Sequence, residues 1–132
     1  MTKLTSQISA LENAISRLEE ALNTQKTDLI RDATIQRFEF TFELSLKTIS
    51  TFLKENGITP YGMGSIIREA YKTNLILDTS IWLKYLEARN LTSHTYDLII
   101  AEKVYQVAQE FPQAAKKCSL NSRVKSKSNI YL

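Results

Sequence analysis

The sequence predicts an all-α protein, an antiparallel up-and-down bundle of four or five helices. Three observations predict it. Apolar residues recur at spacings of three and four over long stretches. The connections between those stretches are short and polar, which makes neighbouring helices antiparallel. Three glycines and two prolines in 132 residues leave little room for the turns of an all-β fold. The length is that of one domain with a substantial core.

The first helix carries Leu4, Ile8, Leu11, Ile15, Leu18 and Leu22 on one narrow stripe. Fewer than four heptads make it a bundle helix rather than a coiled coil. Asn23 to Thr27 connects, and Asp28 is a fair N-cap for the next helix. That helix runs to about Glu55 and stops at Asn56-Gly57, with Gly57 as C-cap. Ile30, Ala33, Ile35, Phe38, Phe40, Phe42, Leu44, Leu46, Ile49, Phe52 and Leu53 leave it apolar over most of its circumference, so it is central. Asp32, Gln36, Glu39, Glu43 and Lys47 form its one polar line. That line is either a solvated face or the border of a functional groove. Arg37 sits near the apolar side and calls for an acidic partner.

Ile58 to Gly64 is a loop by its proline and glycines. Ser65 can cap a short helix from Ile66 to about Thr73, with Glu69 near its first turn. Asp78 or Thr79 caps a fourth helix carrying Ile81, Trp82, Tyr85 and Leu86. Asp97 caps a fifth, carrying Ile100, Val104, Val107, Ala108 and Phe111. Pro112 is expected to kink or interrupt it. The helical domain ends near residue 118. Residues 119–132 read as a basic, flexible or loosely docked tail, because apolar content is scarce before Ile130-Tyr131-Leu132.

The net charge of +3 belongs to that tail. Arg123, Lys125 and Lys127 are its only charged residues, and without them the remaining bases equal the 14 acids. A neutral body does not suit a duplex-DNA binder, so any anion site must be a local cluster. The single cysteine, Cys118, excludes an internal disulfide and fits a reducing cytoplasm. Met1-Thr2-Lys3-Leu4 lacks the apolar core of a signal peptide, and no run has the apolar length of a membrane span. There is no paired-histidine metal motif and no glycine-rich phosphate loop after a strand. No cofactor is expected.

The segment Arg89-Asn90-Leu91-Thr92-Ser93-His94-Thr95-Tyr96-Asp97 holds the only histidine. On one continuous helix Arg89 and His94 would lie about 140° apart. For both to act on one substrate the helix must break between them. Thr92, Ser93 and Thr95 compete for backbone hydrogen bonds, and Asp97 is a natural new cap, so a turn is expected around Ser93 to Tyr96. Arginine offers a fork of donors for phosphate. Histidine exchanges protons near neutral pH. RNA brings its own nucleophile, the 2′-hydroxyl, and its cleavage without metal needs a base, an acid and a cation. One histidine cannot be both base and acid, so the nuclease hypothesis includes a two-fold dimer that supplies a second His94. The plain alternatives are a capping histidine and a surface arginine paired with Glu87.

Arg89, Asn90 and His94 fill the places of the HEPN superfamily signature, and Tyr96 resembles the variant of HepT-like toxins. Arg31 to Leu44 resembles the second helix of the nucleotidyltransferase substrate-binding protein family, a HEPN branch. Ile67-Arg68-Glu69-Ala70-Tyr71 and Trp82-Leu83 fit the same branch. The resemblance spans about residues 1–118. It implies a dimeric up-and-down bundle and a partner, a minimal nucleotidyltransferase. It also implies one of two roles: a metal-independent ribonuclease toxin, or the non-catalytic substrate-binding subunit of a two-component nucleotidyltransferase. In the first, Arg89 and His94 are catalytic, Asn90 and Tyr96 support them, and Tyr96 is the candidate AMPylation site. Leu98-Ile99-Ile100 departs from the acidic residues common after Asp97 in this branch, which makes the groove entrance more apolar.

Overall fold

A computed structural model describes residues 2–128. It is all-helical over that range: α1 (Lys3–Leu22), α2 (Asp28–Glu55), α3 (Met63–Lys72), α4 (Thr79–Asn90), one 3-10 turn (Thr92–His94) and α5 (Leu98–Ser128). The five helices and short links agree with the bundle expected from periodicity.

α2 is the central helix and touches each of the others. α1, α2 and α5 pack mutually, while α3 and α4 lie against α2 away from α1. The α1 stripe is buried from Leu4 to Leu18 as the spacing requires, with Ala14 and Ala21 completing it and Leu22 partly buried at its end. Phe38, Phe42, Trp82, Tyr85 and Phe111 form one aromatic cluster joining α2, α4 and α5. Phe111 is its hub, with ring centroids 5.1–5.8 Å from the other four.

α2 also buries Thr34, Thr41, Ser45 and Thr48. Each hydroxyl donates to the carbonyl four residues back, at 2.6–2.9 Å. That satisfies the buried oxygen locally and allows neighbouring helices to approach closely. Arg37 has the acidic partner its position demanded, donating to Glu20 at 2.8 Å and to the Arg17 carbonyl at 2.6 Å.

Several boundaries differ from the sequence reading. Thr27, not Asp28, caps α2: its extended backbone lets the hydroxyl accept from the Ile30 N–H at 3.1 Å. Asp28 becomes the first helical residue, where a carboxylate suits the positive end of the helix. α3 begins at Met63 rather than after Ser65 and has no side-chain cap. Pro112 does not interrupt α5, which is helical on both sides of it.

Residues 119–128, read from the sequence as part of a flexible or loosely docked tail, lie within α5, which continues through Ser128. Ser119 and Ser122 are buried and Arg123 forks onto Glu12 of α1, at 3.2 and 2.9 Å. The apolar stripe fades there because the buried positions are small and polar. Ile130-Tyr131-Leu132 lies outside the described residues.

Candidate functional site

The chain breaks where the polar segment requires it. α4 ends at Asn90, the 3-10 turn spans Thr92–His94, and α5 restarts at Leu98. Side-chain competition drives the break: the Thr92 hydroxyl donates to the Arg89 carbonyl at 2.7 Å and Thr95 to the Thr92 carbonyl at 3.2 Å. The His94 N–H closes the turn onto the Leu91 carbonyl at 2.9 Å. Asp97 caps α5, accepting from the Ile99 and Ile100 N–H groups at 2.9 and 3.3 Å.

Arg89 occupies the last turn of α4, where a cation suits the negative end of the helix. It is half-buried and held from another helix. Nε and Nη2 both donate to Oε1 of Glu43 on α2, at 3.1 and 2.8 Å. Nη1 donates to Oδ1 of Asn90 at 3.4 Å. His94 is exposed, with its ring 6.1 Å from the ring of Tyr96 and inclined edge-on at 64°. The structure thus forms two pairs, Arg89 with Asn90 and His94 with Tyr96. Among the described residues, no hydrogen bond links one pair to the other.

Glu43 is the residue the sequence did not single out for the site. Its signal was its place on the polar line of α2; its partner is a matter of how α4 crosses α2. That line therefore borders the site at Glu43, while Asp32 of the same line pairs with Arg31 at 3.1 Å.

Tyr96, Leu98 and Ile99 are 83%, 64% and 82% exposed. Three large side chains uncovered within four residues of sequence form an apolar border to the histidine turn. A cleft of about 540 Å³ opens elsewhere, between α4 and α5, lined by Leu77, Ile81, Trp82, Tyr85, Gln113 and Lys117. None of Arg89, Asn90, His94 and Tyr96 lines it. Among the described residues no group of three or more His, Cys, Asp or Glu side chains is placed to hold a metal ion. No described helix is long and apolar enough to cross a membrane.

The comparisons with known proteins agree with this architecture. A Haemophilus influenzae protein described as "Probable ribonuclease HepT" is 42% identical over 89 residues, which is 64% of this chain and 61% of that protein. The match therefore spans less than two-thirds of that relative's length. A Haemophilus influenzae structure, described as revealing the fold of a substrate binding domain of a nucleotidyltransferase, superposes with a TM-score of 0.80 at 32% identity, over 88% of this chain and 98% of that one. A Thermus thermophilus protein of known crystal structure superposes with a TM-score of 0.80 at 28% identity, over 86% of this chain and 98% of that one. The family model described as "Nucleotidyltransferase substrate binding protein like" matches residues 6–124. With that model covering nearly the whole bundle and the histidine turn, the chain belongs to the nucleotidyltransferase substrate-binding protein family.

Proposed function

We propose that this chain is a HEPN-type, metal-independent ribonuclease that acts as a homodimer and is paired with a minimal nucleotidyltransferase. The observation that carries the reading is an exposed imidazole, His94, on the short turn that follows an arginine already oriented by a carboxylate. Arg89 neutralises the phosphate. His94 takes the proton of the RNA 2′-hydroxyl, whose oxygen attacks the adjacent phosphorus. The bond from phosphorus to the 5′-oxygen breaks, and that oxygen takes a proton from the protonated His94 of the second copy. The products are a 2′,3′-cyclic phosphate and a 5′-hydroxyl. The open position of His94 and Tyr96, outside the cleft and beside uncovered Leu98 and Ile99, suits a site completed by a second copy. Asn90 orients Arg89 or the phosphate.

Tyr96 positions RNA and accepts AMP from ATP held by the partner: its phenol oxygen, giving up its proton to solvent, attacks the α-phosphorus, and the bond to the β-phosphate breaks to release pyrophosphate. A phenol this exposed is open to transfer, and the added anion would block the groove. Incubation with the partner and ATP labelled at the α-phosphate labels the wild type and leaves Tyr96→Phe unlabelled. The reading places the chain in the cytoplasm, with RNA.

The test is cleavage of tRNA and mRNA by purified protein without added metal, beside His94→Ala. Cleavage by the wild type alone supports the reading. Intact RNA with a folded, unmodified wild type sinks it. The second reading, a non-catalytic subunit that presents substrate to the nucleotidyltransferase, is favoured by the description of the 32%-identical structural relative. It requires retained nucleotide or RNA binding with no cleavage.

A further inference from the structure

We propose that Glu43 is the positioning residue of this site: it fixes Arg89 so that one edge of the guanidinium is free for a phosphate. The inference rests on the reading of Arg89 as the phosphate-binding group, and it adds a residue from a different helix.

A guanidinium has five N–H donors. Glu43 takes the Nε donor and one on Nη2. Asn90 takes one on Nη1. Two donors are left, one on each terminal nitrogen, and two donors so placed match two oxygens of a phosphate. Glu43 reaches Arg89 from α2, so the direction of the guanidinium is set by the packing of α2 against α4 and not by the side chain's own rotamers.

Glu43 has two separable effects. Its oxygen holds the guanidinium still, which removes the reorganisation that would otherwise accompany charge build-up on phosphorus. Its negative charge lies near the incoming phosphate and weakens the ground-state attraction. Hydrogen bonding therefore governs kcat, and charge governs KM. Glutamine preserves the first and removes the second, because its amide oxygen still accepts from Nε and Nη2. Alanine removes both.

The experiment compares wild type, Glu43→Gln and Glu43→Ala as full-length dimers, by steady-state cleavage and by binding of a non-cleavable 2′-O-methyl oligoribonucleotide. Both variants should bind that oligonucleotide several-fold tighter than wild type. KM should fall in both. kcat should fall on the order of tenfold in Glu43→Ala and recover to within about threefold of wild type in Glu43→Gln. Wild-type kcat in Glu43→Ala, or equal losses in both variants, overturns the positioning role. If the wild type does not cleave RNA, the nuclease reading fails and the binding arm still decides the inference. Unchanged affinity in both variants then places Glu43 outside the phosphate site and overturns it.

Discussion

Arg89 on α4 donates twice, through Nε and Nη2, to a single carboxylate oxygen of Glu43 on α2. The two residues are 46 positions apart, so the direction of the arginine depends on the packing of two helices. Lysine keeps the charge at this position but has one donor head on a flexible stem. Its three donors radiate from one nitrogen, so it cannot reproduce the paired contact with Glu43 and present a planar fork to a phosphate. Arg89→Lys should therefore lose RNA cleavage on the order of a hundredfold while its melting temperature changes little. Wild-type turnover in Arg89→Lys would reduce the role of Arg89 to charge alone.

Phe111 holds the aromatic cluster together. It is fully buried and meets Phe38, Phe42, Trp82 and Tyr85, so its removal opens a cavity where three helices converge. Phe111→Ala should cost about 4 kcal/mol, read as a fall in the urea denaturation midpoint. A loss below about 1 kcal/mol would mean that the cluster closes over the gap.

The last turns of α5 belong to the fold. Arg123 grips both carboxylate oxygens of Glu12, and Asn121 donates to the Leu75 carbonyl at 3.3 Å. A chain ending at Cys118 should melt on the order of 5 °C lower, while one ending at Lys127 should melt close to wild type. Equal melting temperatures would show that the docked turns contribute nothing.

Acid should weaken the junction of α2 and α5. The Lys26 hydrogen bond, with Lys26's charge and the contact from Arg31, holds the Glu102 carboxyl below its ordinary range. A depressed folded-state pKa means the stabilisation is complete above the unfolded glutamate value, about 4.3, and is lost as pH falls through the folded value. Denaturation midpoints of wild type and Glu102→Gln should differ at pH 7 and converge as the pH drops below about 4. Parallel curves would contradict the assignment.

Much of this was written in the residues. The stripe from Leu4 to Leu22 and the aromatic run of α2 dictate burial through spacing alone. The competing hydroxyls of Thr92 and Thr95, followed by Asp97, dictate the break that puts His94 on a turn. Ser119 and Ser122 defeated the same reasoning. Small polar residues pack well at a close helix approach, yet they carry no apolar signal. The Glu43–Arg89 pair was hidden for a different reason: a helical spacing says which residues share a face, not which helix will cross it.

In the proposed reaction His94 moves a proton during RNA cleavage. The most direct measurement is the product ends formed from a defined oligoribonucleotide by wild type and His94→Ala in excess EDTA. The wild type should leave 2′,3′-cyclic phosphate and 5′-hydroxyl ends, and the variant should leave the RNA intact. Cleavage by His94→Ala at the wild-type rate, or 5′-phosphate ends from the wild type, would contradict that role.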